Sequence, residues 1–278
     1  MSWVQTSEPE RPAAAGPGAR RSTPVVFAVG GAVGLLGGLI GLGGAEFRLP
    51  LLIGLFGFAA LQAVVLNKAM SLVVVATALP ARLFGVPFAD LAAAWTVAAN
   101  LLAGSLVGAW VGAAWATRMR STTLYRILAG LLVLIAVALV AGHVGTLGTL
   151  SLAPAVQAVV GVAVGFLIGV VAALMGVAGG ELLIPTIVLV YGVEIKLAGS
   201  LSLAVSLPTM LVAFARYSRD DSFVVLRGEL RFVGILALGS VTGTLCGGLL
   251  LGVVPDAVLI PLFAGLLLLS AGKVWQHR

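Results

Sequence analysis

Ten residues recur at half the length of the chain. Gly41-Leu-Gly-Gly-Ala-Glu46-Phe-Arg-Leu-Pro50 returns 135 positions later as Gly176-Val-Ala-Gly-Gly-Glu181-Leu-Leu-Ile-Pro185. The offset continues without a gap, because Gly104, Gly108 and Gly112 fall on Gly239, Gly243 and Gly247, and Ala129 to Leu132 falls on Ala264 to Leu267. Apolar helices match one another cheaply, so the residues that lipid does not select carry the weight: Glu46 with Glu181, Pro50 with Pro185, Ser71 with Ser206. A duplicated chain with glycine-interrupted apolar segments in corresponding places is the pattern of a membrane carrier.

The solvent for these repeats follows from composition. With 60% apolar and 9% charged residues, 37 glycines and a mean hydropathy of +1.17, the chain lacks the polar surface of a soluble domain. Apolar stretches long enough to cross a bilayer run over 25–42, 61–79, 91–115, 124–141, 156–175, 198–214, 232–253 and 258–271. Two shorter pieces, 47–56 and 182–191, follow the glycine breaks and read as half-helices or re-entrant arms. The expected fold is an all-α polytopic membrane protein of two repeats, each of four spanning helices plus one short segment. Five elements per half, an odd number, make the repeats inverted. The expected organisation is a disordered cytoplasmic tail over 1–23, a first transmembrane repeat over 24–142, a connecting loop and the start of the next helix over 143–158, and a second repeat over 159–278.

Basic residues orient this arrangement. Arg11, Arg20, Arg21, Arg118, Arg120, Arg126, Arg216, Arg219, Arg227, Arg231, Lys273 and Arg278, twelve of the sixteen, fall on one side of it, which the positive-inside bias makes cytoplasmic. Both termini are expected there, with the chain in the plasma membrane. The net charge of +6 is therefore a topology signal and gives no reason to expect a nucleic-acid partner. Arg20-Arg21 before an apolar run has the look of a signal start, but no small-residue cleavage site follows and the first span has a counterpart in the second half, so a retained helix is expected. The single cysteine, Cys246, excludes an intrachain disulfide and reads as a small packing residue.

Glycine clusters free backbone groups that lipid cannot satisfy, so the two breaks must face protein or a water-filled cavity. A helix restarting at Ala45-Glu46, and another at Gly180-Glu181, points N–H groups and a partial positive charge into that space, which suits an anion. Beside the first break stand Glu46 and Arg48, and on the next helix Asn67, Lys68 and Ser71. Ionisable side chains at membrane depth mark function by default. The candidate substrate-binding residues are Gly41, Gly43, Gly44, Glu46, Arg48, Asn67, Lys68, Ser71, Gly176, Gly179, Gly180, Glu181, Ser202 and Ser206. Arg48 and Lys68 face Leu183 and Leu203 in the second copy, which makes any charged site asymmetric.

Each of these has a plainer reading as well. Arg48 can pair with Glu46 or snorkel, and Lys68 can snorkel less easily from inside its segment. The glutamates can cap their helices through free N–H groups, or take up and release a proton during transport. Ser200, Ser202, Ser206 and Thr209 can offer neutral donors or bond back onto their own helix, and Pro208 can kink it. The glycine series at 104, 108, 112 and 239, 243, 247 are packing faces, placed either between the halves or between subunits of an oligomer. Trp95, Trp110, Trp115 and Trp275 lie toward span ends, as interfacial anchors do.

Two copies of a glycine-rich break, a short segment ending in proline and a helix with Ala and then Asn or Ser four residues on resemble the TauE/SafE family of sulfite exporters, also called the toluene sulfonate uptake permease family. The residues that carry the resemblance are Gly41, Gly43, Gly44, Pro50, Ala63 and Asn67, and Gly176, Gly179, Gly180, Pro185, Ala198 and Ser202. It covers nearly all of the chain beyond the tail and implies transport of sulfite, sulfonates or related sulfur oxyanions. The first copy departs from the expected Gly-Gly-Gly and aliphatic run, reading Gly-Gly-Ala-Glu-Phe-Arg, and the added charge suits an anionic ligand.

The expectation is therefore a transporter, most naturally an exporter, of sulfite or a related small sulfur oxyanion or organosulfonate, alternating access around a midplane site, with proton coupling as an option. An anion channel, or an uptake permease for another anion, is the alternative. An enzyme is not expected, since no His-Glu-x-x-His or Gly-x-Ser-x-Gly pattern occurs, and two histidines and one cysteine give no reason to expect a metal or cofactor.

Overall fold

The computed structural model describes residues 22–40, 44–83, 88–144, 152–249 and 256–276. Among these there are helices and no strands: α1 (Thr23–Ile40), α2 (Ala45–Gly54), α3 (Ala60–Leu83), α4 (Phe88–Ala93), α5 (Trp95–Ala116), α6 (Ser121–Val144), α7 (Pro154–Met175), α8 (Gly180–Tyr191), α9 (Ile195–Tyr217), α10 (Val224–Gly228), α11 (Leu230–Leu249) and α12 (Asp256–Gln276). A 3₁₀ turn, Asp221–Phe223, leads into α10. Ala60–Pro80, Trp95–Ala116, Pro154–Met175, Lys196–Tyr217 and Leu230–Gly247 are long and apolar enough to span a bilayer. The outer faces carry exposed Val107, Leu167, Leu238, Leu245 and Leu269, side chains that only lipid accommodates in such number. The protein is an all-α, multi-pass membrane protein.

The duplication is visible in the helix boundaries. Helices α2, α3, α5 and α6 start at 45, 60, 95 and 121, and α8, α9, α11 and α12 start at 180, 195, 230 and 256, each 135 residues later. The short segments match in their flanks too. Gly44 and Gly57 bracket α2 and Gly179 and Gly192 bracket α8, all four with φ between 66° and 85°, a conformation that costs other residues about 1–2 kcal/mol.

The two halves interleave. Helix α1 lies along α11, and α5 along α7, so each close pair joins one half to the other. Backbone contact sets these pairs: a Cβ added to Gly30 or Gly34 would strike the carbonyl of Leu236 or Ser240, and one added to Gly239 or Gly243 that of Phe27 or Gly31. Gly104, Gly108 and Gly112 meet the carbonyls of Val162, Phe166 and Val170 in the same way, and Gly165 and Gly169 those of Leu101 and Ser105. The glycine faces are thus occupied inside the chain, between the halves.

Two expectations need correction. The stretch 91–115 is not one helix, because Ala94 leaves helical geometry (φ −94°, ψ 15°) and separates α4 from α5; no glycine or proline announces that break. Cys246 is exposed, since Gly243 holds the packed face of α11 and residue 246 falls off it. The tail over 1–21, the loop over 145–151, Gly41 and Gly43 lie outside the described residues.

The far ends of α2 and α8 are held differently. At α8, the Tyr191 hydroxyl donates to Asn100 Oδ1 (2.6 Å) and Gln157 Nε2 to the Val190 carbonyl (2.7 Å). At α2, Phe56 and Phe58 pack on Phe232, with ring centroids 4.8 and 5.5 Å apart. Arg216 and Arg219 lie over the exposed Trp110 ring at 5.9 and 5.2 Å, which puts that tryptophan at the basic rim of the molecule.

Candidate functional site

Both breaks are built by left-handed glycines. Gly176 ends α7 (φ 70°), with the Val177 N–H reaching back to the Ala172 carbonyl (3.1 Å) and the Gly176 N–H to that of Ala173 (3.1 Å). Three residues on, Gly179 (φ 85°) opens α8 as Gly44 (φ 70°) opens α2. Gly44 lies on the Val33 carbonyl of α1 and Gly176 on the Val64 carbonyl of α3, so a side chain at either would push a helix away. Pro50 and Pro185 sit inside α2 and α8. Lacking N–H, they withhold the helical bond from the carbonyls of Glu46 and Glu181 four residues back.

The two breaks meet. Glu46 and Glu181, in the first turns of α2 and α8, act directly on one another through their carboxyl groups. Glu46 is 2% exposed, and Glu181 is partly exposed although both of its carboxylate oxygens are shielded from solvent. Oε1 of Glu46 and both carboxylate oxygens of Glu181 have no hydrogen-bond donor among the described residues.

The donors of the first half, Arg48 on α2 and Asn67 and Lys68 on α3, bond to other groups. Arg48 is 1% exposed. Its guanidinium donates from Nε to Asn67 Oδ1 (2.8 Å), from Nη2 to Ser71 Oγ (2.8 Å) and from Nη1 to Ser240 Oγ (3.3 Å). Its charge also acts on Glu46, but these three bonds go to neutral oxygens. Asn67 uses its amide nitrogen to hold the first carbonyl of α2, Ala45 (3.0 Å), and the last of α7, Met175 (3.1 Å). Lys68, also 1% exposed, donates to the carbonyls of Ala172 and Val177, both at 2.7 Å. A cation on the free carbonyls of a helix C-terminus complements its dipole. The Tyr217 hydroxyl takes the neighbouring Ala173 carbonyl (2.9 Å). Neither Arg48 nor Lys68 snorkels.

The second half repeats the frame with fewer bonds. Leu183 stands at the place of Arg48, and Ser206, at the place of Ser71, is buried with no hydrogen-bond partner for its hydroxyl among the described residues. Ser202 donates back to the Gly199 carbonyl (2.8 Å), Ser200 to that of Lys196 (3.4 Å) and Thr209 to that of Val205 (2.7 Å), while Thr209 also meets Ser105 (2.8 Å). Gly180 is the first residue of α8. Ser240 was missed from sequence, although one signal was present: it falls 135 residues after Ser105, each a hydroxyl beside a glycine of the packed face.

The family described as sulfite exporter TauE/SafE matches residues 1–139 and 148–278, nearly the whole chain. The chain belongs to the TauE/SafE family. Neither a curated protein nor a solved structure matches it. TauE/SafE membership makes it a membrane transporter, in agreement with its apolar helices. In this TauE/SafE chain the paired breaks, with Arg48 and Lys68 beside them, are the polar centre of the described membrane region.

Proposed function

We propose that the chain exports sulfite or a closely related small sulfur oxyanion or organosulfonate across the plasma membrane, by alternating access around the two breaks, with inverted repeats and both termini in the cytoplasm. The observation that carries the site is the meeting of the first turns of α2 and α8 through Glu46 and Glu181, which brings two helix N-termini to one place. Family membership supports the substrate class. The recurrence of helix starts at one offset supports the repeats, and the basic residues gathered at the α5–α6 turn and between α9 and α11 support the orientation.

Gly44, Gly176, Gly179 and Gly180 shape the cavity in this reading. The guanidinium of Arg48 has five N–H donors, of which three are used by Asn67, Ser71 and Ser240. The ammonium of Lys68 has three donors, two of them on carbonyls. The remaining N–H groups, with Ser206 and with Ser202 once its hydroxyl turns from the Gly199 carbonyl, meet the anion. Sulfite flux into proteoliposomes holding the purified chain tests this, with sulfate, thiosulfate and a small organosulfonate as competitors. Saturable flux showing counterflow, inhibited best by sulfite, is expected. Unsaturable flux without counterflow makes the protein a channel, and an absence of flux for all these anions from folded protein removes the substrate assignment.

A further inference from the structure

Two carboxyl groups interact at the point where the two helix N-termini converge, and three of their four oxygens have no donor among the described residues. As two bare anions they would repel one another and any oxyanion entering between the helices, and a buried polar atom without a partner is costly. One proton placed between them removes one charge and joins two of these oxygens in a hydrogen bond, as in carboxyl dyads that share a proton. We propose that Glu46 and Glu181 together hold a single shared proton, which binds with the anion and is the coupling ion of transport. The proposal rests on the carrier reading above and names its coupling.

The surroundings select a proton over a metal cation. Broken-helix carriers that use sodium coordinate it with unwound carbonyls and helix C-termini. Here the carbonyls of Ala172 and Val177 hold the Lys68 ammonium and that of Met175 holds Asn67. The amino group of Lys68 fills, from the chain itself, the place sodium would need. Among the described residues the charge that acts on the dyad is that of Arg48 on α2, while Lys68 on α3 bonds to the carbonyls at the end of α7. Of the helices packed on α2 and α8, α1 and α7 carry no ionisable side chain, and Arg126 on α6, Lys196 and Arg216 on α9 and Lys273 on α12 stand toward helix ends. The asymmetry of the repeats points the same way: Arg48 balances Glu46, while Leu183, its counterpart, leaves Glu181 without a cation on its own helix.

The experiment has two readouts, and the first needs no substrate. Infrared spectra of the full-length chain in detergent, taken across neutral pH, should show one protonated-carboxyl stretching band that shifts in D₂O. It should titrate in a single step, be unmoved by exchange of sodium for potassium, and vanish in Glu46→Gln and in Glu181→Gln, where the amide donates to the remaining carboxylate. No such band in the wild type, or one that survives in both variants, overturns the proposal even if those variants fold poorly. Because sulfite itself loses a proton near neutral pH, the comparison in proteoliposomes is with the variants: wild-type sulfite flux should fall about tenfold more per pH unit on its alkaline limb than flux in either variant, the slope of one proton. An excess of about a hundredfold per unit means two protons and overturns sharing, and a requirement for sodium overturns the proton. Absence of flux with the band present removes the substrate assignment and leaves the dyad standing.

Discussion

Asn67 joins three helices at the breaks. It orients Arg48, holds the first residue of α2 and caps the last residue of α7. Asn67→Leu keeps the volume and removes three hydrogen bonds at buried groups, so a loss of at least about 3 kcal/mol is expected, read as a lowered unfolding midpoint in detergent. Lys68→Met leaves the carbonyls of Ala172 and Val177 without their ammonium donor and should cost about 1–3 kcal/mol while raising the apparent KM for sulfite. A KM equal to wild type would take Lys68 out of the binding site and leave it as a cap. At this scale the sequence showed which side chains were unusual, because Glu46, Arg48, Asn67 and Lys68 stand out in apolar helices. Their partners were hidden. The carbonyls of Ala172, Met175 and Val177 belong to residues with no polar side chain, and only the fold brings them to α3.

Helices pair here through what their glycines leave bare. Gly108 rests on the Phe166 carbonyl, so Gly108→Val must drive α5 from α7, and no monodisperse protein is expected on size exclusion. Gly234, within α11, has open space where a Cβ would go. Gly234→Ala should therefore be accepted and raise stability by about 0.5–1 kcal/mol. Such contrasts could not be read from spacing, which showed small residues on one face without the backbone opposite them. The short helices α2 and α8 were legible, since glycine before and proline within each segment mark a start and limit its run. The gap between α4 and α5 was not, because Leu91 to Trp95 reads as continuous apolar helix.

The whole molecule divides differently from its sequence. Helices α1, α2 and α3 pack with α11, while α7, α8 and α9 pack with α5; α6 lies along α12 between the two groups, which also meet where α3 faces α9 and α7. A carrier that rocks should move these mixed bundles, because rocking one sequence half against the other would tear apart the glycine-tight pairs. Ser105 and Thr209 touch across the sequence halves but inside one bundle. A disulfide made by Ser105→Cys with Thr209→Cys should leave saturable flux in place. Val75 and Met210 share a small cluster between the bundles, and a disulfide made by Val75→Cys with Met210→Cys should stop flux until it is reduced. The reverse result would return the motion to the halves.

The outer ends of α2 and α8 are latched by unlike forces, three phenylalanines at one and a tyrosine with two amides at the other. Apolar contact weakens on cooling, whereas hydrogen bonds of this kind do not share that dependence. If the repeats are inverted, as proposed, these latches would close opposite faces of the membrane. Cooling would then loosen the aromatic face first, so the side to which a resting carrier opens would be set in part by temperature, and a duplicated machine would acquire a preferred direction of rest.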